Sequence, residues 1–319
     1  MTVRNIDAVV FGVEDLSEAE RFLTDWGLTR KTAGPGVLAY EATNGAEVMA
    51  RQKDDPALPP AMAPGSTLRE VIWGCESEED LGRLEARLRA SGPVSQGQDG
   101  LLRAVDSNGL THAFRVSVLR PVDISPVLTN GPGYRNRVNR RSPVYERAVP
   151  KGIGHVVLFV NDLQAMRSFF VDRLGFVVSD SYPGQAVFLR AQARGVHHNV
   201  FLLERKGRPG LNHVAFAVND IHEVFGGGLA MSRKGWQTEI GPGRHPISSA
   251  YFWYFQSPFG GALEYFADED ACTEEWVPNE FERRPENFAE WAILGGLDGN
   301  TRRQTTNPAA LHEPEGRGK

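Results

Sequence analysis

The chain of 319 residues is 41% hydrophobic and 24% charged, and its 35 Lys and Arg face 40 Asp and Glu for a net charge of −5. A chain of this length can bury a large apolar core, and we expect two domains rather than one. Because the charge balance is acidic, no broad cationic surface is available for a phosphate backbone, and nucleic acid is not an expected partner.

The sequence has none of the apolar stretches of about 18 residues that membrane-spanning helices need. Its first ten residues also lack the long apolar core and the small-residue cleavage site of a signal peptide. We therefore expect a cytoplasmic protein with no membrane partner. The two cysteines, Cys75 and Cys272, belong to no Cys-x-x-Cys pair, and we expect both to be inert thiols in a reducing compartment.

One pattern of secondary structure occurs four times along the chain, beginning near residues 5, 67, 152 and 210. In the first and third occurrences a β-rich apolar run and an amphipathic helical stretch lead to Gly27 or Gly175, where a helix would end. The second and fourth begin with similar apolar runs, again followed by an acidic turn and a helical pattern. Each occurrence predicts a β-α-β-β-β module. The predicted fold class is therefore α+β, with four such modules.

The same pattern divides the chain into two domains, a linker and a tail. We predict an N-terminal domain over residues 1–125, a linker containing Pro, Gly and Arg over 126–148, and a C-terminal domain over 149–270. The tail, 271–319, mixes aromatic and charged residues, and either a lid over a pocket or an oligomer contact would fit it. Its polar end, from residue 300 onward, is expected to be mobile.

Three residues of the C-terminal domain form a candidate metal site. His155 and His213 occupy equivalent positions in the first strands of the third and fourth modules, and Glu264 lies in the last strand of the fourth. A lone histidine on an apolar strand is more often a buried residue with an ordinary hydrogen bond. Here the shared position favours a metal site, because two histidines and one carboxylate leave coordination positions open on Fe(II). A carboxylate that faces an apolar sheet is also costly without a cation.

The N-terminal domain serves as an internal control. Aligned by hand, it carries Ala8, Glu70 and Ala113 at the positions of His155, His213 and Glu264. A set of this kind binds no metal, so we expect a single metal site, in the C-terminal half.

These residues, on a four-module scaffold, resemble the vicinal oxygen chelate superfamily and, within it, the two-domain type I extradiol catechol dioxygenases. The resemblance covers residues 3–270 and is most specific between 241 and 264, where His245, Tyr254 and Glu264 are spaced as in that family. It implies two tandem domains with mixed, curved sheets around a metal pocket. It also implies Fe(II), with Mn(II) as the alternative, and a homo-oligomer, either a tetramer or a dimer.

The resemblance further implies roles for the residues around the metal. A catechol would bind the metal through its two oxygens beside O2, and ring cleavage outside the hydroxyls would give a muconic semialdehyde. His198 is the expected acid/base residue. The neighbouring His197 is the alternative, although on one strand it would face the other side. Tyr254 would bond to a catechol oxygen, and His245 would help to position the substrate.

The substrate is open at this stage. A carboxylated catechol of the 2,3-dihydroxybenzoate or dihydroxy-p-cumate type, or an aryl catechol, would fit the resemblance. The arginines that are candidates for binding a substrate carboxylate are Arg190, Arg244, Arg283 and Arg284. Two other functions stay possible on such a scaffold: an O2-independent metalloenzyme of the glyoxalase or isomerase kind, and a small-molecule-binding protein. Uptake of O2 distinguishes the dioxygenase from both.

Overall fold

The computed structural model describes residues 2–124 and 127–297. The predicted boundary between residues 125 and 126 and the polar end of the tail from residue 300 lie outside this part of the chain. Within it, no helix combines the length and the apolar character needed to cross a membrane.

The N-terminal half forms an eight-stranded sheet with two helices, α1 (Leu16–Asp25) and α2 (Glu78–Ser91). Its strands are β1 (Val3–Val13), β2 (Thr29–Arg30), β3 (Leu38–Glu41), β4 (Glu47–Gln52), β5 (Thr67–Cys75), β6 (Ser95–Gln96), β7 (Leu102–Val105) and β8 (Thr111–Val116). The segment that follows contains a short hairpin of β9 (Asn130–Gly131) and β10 (Tyr134–Arg135).

The C-terminal half forms a ten-stranded sheet, which two short strands of the tail complete at its edges. Its helices are α3 (Leu163–Ser168), which continues as a π-helical segment over Phe169–Leu174, and α4 (Ile221–Arg233), while α5 (Pro285–Phe288) belongs to the tail. The strands of this sheet are β11 (Gly152–Val160), β12 (Val177–Tyr182), β13 (Ala186–Arg190), β15 (Val200–Glu204), β16 (Gly210–Ala217), β17 (Thr238–Arg244), β18 (Tyr251–Gln256), β19 (Ala262–Ala267), β21 (Asn279–Glu280) and β22 (Trp291–Ala292). Two further short strands, β14 (Gly195–Val196) and β20 (Ala271–Cys272), pair with each other outside it.

The connectivity repeats in all four modules. The first strand of each module pairs in parallel with its last strand: β1 with β4, β5 with β8, β11 with β15 and β16 with β19. The two modules of each half then join through their first strands, which are antiparallel. The predicted α+β class with four β-α-β-β-β modules is confirmed, whereas the limits proposed for the domains stay predictions.

The ends of the helices follow local sequence signals. Asp15 accepts the backbone N–H groups of two residues in the first turn of α1, Asp220 does the same for α4, and Asp162 accepts one such N–H group in α3. At the other end, Gly27 and Gly175 have φ of +93° and +83°, a region that favours glycine. These aspartates and glycines therefore mark where the helices begin and where two of them end.

A stacked aromatic pair joins the two halves. The rings of Trp26, from the first module, and Tyr265, from the last, lie 3.7 Å apart, and the Tyr265 hydroxyl donates to the Trp26 carbonyl at 2.7 Å. Both residues are fully buried in a core that contains residues of both halves. The sheet that carries Glu264 therefore packs against the N-terminal half.

Candidate metal centre and its cavity

Four adjacent strands place the candidate ligands in one row. His155 on β11 pairs with Ala215 on β16, which pairs with Glu264 on β19, which pairs with Tyr254 on β18. His213 lies two residues before Ala215 and therefore faces the same side of the sheet. Because the side chain of Ala215 is a methyl group, the longer side chains on either side can converge above the middle strand.

The three ligand atoms form a nearly equilateral triangle. The Glu264 Oε2 atom lies 3.2 Å from His155 Nε2 and 3.1 Å from His213 Nε2, and the two nitrogens lie 3.3 Å apart. Ligands at right angles around an ion and about 2.2 Å from it stand about 3.1 Å from each other. The three side chains are buried, so they fit a facial metal site and not a solvated cluster.

The charge states of these groups suit a cation. Burial would raise the pKa of the Glu264 carboxyl, but the hydrogen bonds to His155 and His213 outweigh it and hold that pKa well below its usual range. Burial also lowers the pKa of His155, which favours the neutral ring that a metal requires. His213 Nδ1 lies 2.6 Å from the Asn212 side-chain oxygen, which leaves Nε2 as the free lone pair. His155 Nδ1 is buried without a hydrogen-bond partner.

The N-terminal sheet has the same row with different residues. Its register places Ala8, Ile72 and Ala113 where the other half has His155, Ala215 and Glu264, in agreement with the alignment made from the sequence. The side chain of Ile72 fills the space above the row and packs between the two alanines. Glu70 stands at the position of His213, but it is paired with Arg103 at 2.7 Å. The described N-terminal residues therefore hold no facial set.

His198 lies beside the candidate ligands, in the loop between β14 and β15. Its ring centre is 4.1 Å from that of His155, and its side chain lines the cavity. Burial, followed by the neighbouring His155 and His197, lowers the pKa of His198 well below its ordinary value. His197 turns away from the cavity towards Asp180, as predicted, but the reason given was wrong, because the two histidines lie in a loop and not on one strand.

His245 and Tyr254 flank the other side of the site. His245 Nδ1 donates to the Phe288 carbonyl at 2.6 Å, so its Nε2 accepts from the Tyr254 hydroxyl at 3.0 Å. Burial lowers the pKa of His245 to about 4, despite the nearby Glu264. Burial and Glu264 raise the pKa of Tyr254 well above its usual value, which keeps the phenol protonated. The pair therefore places a neutral phenol, hydrogen-bonded to His245, next to His213, whose ring centre lies 4.9 Å from that of Tyr254.

A cavity of about 800 Å³ opens above these residues. Its walls are mainly aliphatic and aromatic side chains: Val157, Phe159, Tyr182, Phe188, Phe201, Leu203, Ile247 and Ala250. Phe188 and Phe201 stack face to face with their centres 3.8 Å apart. The arrangement provides a polar, metal-binding floor and an apolar chamber above it.

The tail crosses the mouth of this cavity. Its strands β21 and β22 pair with β12 and β17, which places them at opposite edges of the sheet, and residues 281–290 run between them. We call residues 281–290 the tail strap. Its Asn287 carbonyl accepts from the Tyr182 hydroxyl at 3.0 Å, and its Phe288 carbonyl holds His245. The described tail thus lies where a lid would lie.

Two of the four candidate arginines reach the cavity. Arg283 and Arg284, on the tail strap, line its mouth. The structure does not bring Arg190 or Arg244 there, because their guanidinium groups are engaged elsewhere. Arg190 is buried and donates to the Val178 carbonyl and the Ser179 hydroxyl, while Arg244 pairs with Glu290.

Glu269 is a polar neighbour of the site that sequence reasoning missed. Its Oε1 atom lies 3.1 Å from His198 Nδ1 and also accepts the His198 backbone N–H, while Oε2 is buried without a partner. Burial raises the pKa of Glu269 well above its ordinary value. The signal was the acidic triplet 268–270 directly after β19. Among the described residues, His155, His198 and Glu269 form a second group whose ligand atoms lie close enough together to hold a metal ion. This group shares His155 with the triangle of His155, His213 and Glu264, so the two groups are not independent sites.

The comparisons with known proteins agree with this geometry. The family described as the glyoxalase/bleomycin resistance protein/dioxygenase superfamily matches residues 152–265. Metapyrocatechase 2 from Cupriavidus necator is 30% identical over 275 residues, which are 84% of this chain and 82% of that protein. A manganese-dependent 2,3-dihydroxybiphenyl 1,2-dioxygenase from Geobacillus genomosp. 3 is 24% identical over 70% of this chain and 76% of its own.

Among solved structures, the Mn(II)-bound glyoxalase from Novosphingobium aromaticivorans has the same fold, with a TM-score of 0.75 at 24% identity over 97% of both chains. Fold and site together define a metal-binding member of the glyoxalase/bleomycin resistance/dioxygenase superfamily. Within it, the chain belongs to the extradiol catechol dioxygenases, oxidoreductases of aromatic catabolism, and the resemblance seen in the sequence is confirmed.

Proposed function

We propose that the enzyme binds one Fe(II) ion through His155, His213 and Glu264 and cleaves a substituted catechol with O2, outside the two hydroxyls. The product would be of the muconic semialdehyde type. The observation that carries the proposal is the triangle of two imidazole nitrogens and one carboxylate oxygen, 3.1–3.3 Å apart, on the floor of the cavity. Such a set leaves adjacent positions open, where the metal would bind the catechol and O2 together.

Residues on either side of the metal triangle are proposed to transfer protons or donate hydrogen bonds to the substrate. His198, beside His155, is proposed to accept a proton from the catechol and to return it to the departing oxygen. Tyr254, beside His213, is proposed to turn its hydroxyl proton from His245 Nε2 to a substrate oxygen when the substrate binds. The apolar walls exclude water, which strengthens both interactions.

The size of the cavity supports a bulky substrate. A volume of about 800 Å³ exceeds the space that one catechol ring fills, and pockets of about 300–1,000 Å³ hold ligands of several rings. The stacked Phe188 and Phe201 offer a flat apolar wall, so we propose an aryl-substituted catechol. One relative is named for its action on 2,3-dihydroxybiphenyl.

Arg283 adds a preference for negative charge at the mouth. Its closest polar contact is the Gln185 side-chain oxygen at 3.5 Å, and no carboxylate of the described residues pairs with it. Arg284, in contrast, pairs with Glu282. We propose that a carboxylate on the outer part of the substrate would pair with Arg283.

The test is anaerobic loading with Fe(II) or Mn(II), followed by mixing with catechols in air. Hard oxygen and imidazole ligands suit both metals, and one solved neighbour is Mn(II)-bound, so both are loaded separately. We expect O2 uptake equal to the substrate consumed, a yellow product, and a higher kcat/KM for 2,3-dihydroxybiphenyl than for catechol. Absence of O2 uptake and colour with catechol, 2,3-dihydroxybiphenyl and 2,3-dihydroxybenzoate would overturn the proposal.

Similarity to a glyoxalase gives a second candidate, an isomerase that needs no O2. It predicts turnover of the hemithioacetal of methylglyoxal and glutathione under nitrogen, and the same metal-loaded preparation tests it.

A homo-oligomer, a tetramer or a dimer, is also proposed, and light scattering measures the mass of the assembly in solution.

A further inference from the structure

A chain of buried side chains leads from the edge of the sheet to His198. Asp180 Oδ1, on β12, accepts the backbone N–H of Asn279 at 2.7 Å, and Asp180 Oδ2 lies 2.8 Å from His197 Nε2. His197 Nδ1 lies in turn 3.1 Å from His198 Nδ1. His197 is completely buried and takes no part in the chemistry proposed above.

The direction of each hydrogen bond follows from what each group can donate. An ionised carboxylate only accepts, so His197 Nε2 donates to Asp180. A neutral His197 then has no proton on Nδ1, and that atom accepts the proton on His198 Nδ1. Glu269 Oε1 also lies 3.1 Å from the same nitrogen. His198 is left with Nε2 unprotonated, and this is the nitrogen that remains for the cavity.

His197 itself is held on every side. Its ring packs edge-on against Trp276 and Phe188, with centres 5.5 and 5.4 Å away. Its carbonyl accepts from the Ser179 hydroxyl, which in turn accepts from Arg190 at 2.9 Å. The buried Arg190 thus anchors the loop that carries both histidines, and the ring of His197 cannot turn without losing its contacts with Asp180, Trp276 and Phe188.

We propose that Asp180 and His197 are positioning residues that fix the tautomer of His198, so that its unprotonated Nε2 faces the cavity and can accept a proton from a catechol bound there. This inference rests on the proposed function, because the proton it concerns is that of the catechol. The reaction step is a simple transfer: one O–H bond breaks and one N–H bond forms at His198 Nε2.

The variant Asp180→Asn reverses the chain of hydrogen bonds. The Asn279 N–H requires an acceptor, so the amide oxygen would face it and the NH2 group would donate to His197 Nε2. His197 Nδ1 would then carry a proton and donate to His198 Nδ1, and the proton of His198 would move to Nε2. We expect kcat to fall by about 10- to 100-fold, part of the 10²–10⁴-fold that general acid–base catalysis supplies, with KM and metal content little changed.

A direct readout of the tautomer uses selectively 15N-histidine-labelled protein loaded with diamagnetic Zn(II). The His198 signals are assigned by their loss in His198→Asn. We expect the parent protein to show a protonated Nδ1 and an unprotonated Nε2 at His198, and Asp180→Asn to show the reverse. The matched control is His222→Asn, on the exposed surface of α4, which should change neither kcat nor the His198 signals.

His197→Phe is the second variant, in case Asp180→Asn does not fold. It keeps a ring in the pocket but removes the acceptor, so a mixture of tautomers and a lower kcat are expected. A protonated Nε2 in the parent protein would overturn the inference, and so would unchanged kcat and signals in both variants. If the signals reverse as expected but no catechol is cleaved, the proposed function fails while the hydrogen-bond chain stands.

Discussion

His213 and Glu70 occupy the same strand position in the two halves of the molecule. Each lies two residues before the middle residue of its row, Ala215 in one half and Ile72 in the other. His213 meets Glu264 at 3.1 Å in a buried triangle, whereas Glu70 is neutralised by Arg103 at 2.7 Å. The same scaffold position therefore carries a proposed metal ligand in one half and an ion pair in the other.

This relationship yields a matched pair of variants. Glu264→Gln removes the one anionic ligand, and we expect metal affinity to fall by at least about 100-fold, since loss of an outer-sphere partner alone costs 10- to 100-fold. Glu70→Gln, at the mirrored site, should keep one metal per chain. Metal analysis after dialysis measures both, and an equimolar metal content in Glu264→Gln would contradict the ligand assignment.

Replacement of His198 by Asn should separate metal binding from catalysis. The side chain lines the cavity but is not part of the triangle, so the metal content should stay intact. Turnover should slow by about 10²-fold or more, the scale of general acid–base catalysis. Unchanged turnover in an O2-electrode assay would mean that another group moves the proton.

Arg283→Gln tests the charge at the mouth of the cavity. A charged hydrogen bond contributes about 1.5–3 kcal/mol, so KM for a carboxylated aryl catechol should rise by about 10-fold or more. The KM for 2,3-dihydroxybiphenyl, which carries no charge there, serves as the internal control and should not change. An equal rise for both substrates would indicate a general defect of the tail strap.

Gly228→Ala tests how closely α4 approaches the catalytic sheet. A Cβ at this position would overlap the ring of Trp253, which is fully buried on β18. We expect a loss of about 1–3 kcal/mol in the free energy of unfolding, as for other overpacked cores. The control is Gly82→Ala on α2, where a Cβ meets open space and a gain of about 0.4–1 kcal/mol is expected. Thermal melting compares the two variants.

The two cysteines should not react with thiol reagents in the folded enzyme. Both are buried, and burial raises the pKa of the Cys75 thiol to about 12 and that of Cys272 to about 11. At pH 8 the reactive thiolate is therefore scarce, and it increases only as the pH rises towards these values. A thiol reagent such as dithionitrobenzoate should label neither residue in the native protein and both after denaturation.

The features that repeat along the chain could be predicted from the sequence. One recurring pattern predicts the four modules, the helix ends at Gly27 and Gly175, and the equivalent positions of His155 and His213. Because the strands that carry the two histidines pair with each other, equivalent positions in the sequence become neighbours in the sheet. The features that depend on single loops could not be predicted. Asp180 and Glu269 reach His197 and His198 only because the chain bends after β14 and β19.

The path of the tail strap could not be predicted from the sequence either. Aromatic and charged residues without periodicity predict no direction, and only its pairing with β12 and β17 carries it across the mouth of the cavity. Arg190 was a candidate for substrate binding because arginine suits a carboxylate, yet its hydrogen bonds to Val178 and Ser179 make it part of the loop support.

The tail strap is separate from the strands that carry the candidate metal ligands. His155, His213 and Glu264 stand on central strands that the fold cannot alter without losing its core, whereas residues 281–290 are anchored at the two outermost strands. A change of sequence in that segment can alter which molecules enter without moving a ligand. The proposed metal centre is thus built into the sheet, whereas the choice of substrate is expected to depend on the tail strap, so substitutions there should change substrate preference and leave the metal content unchanged.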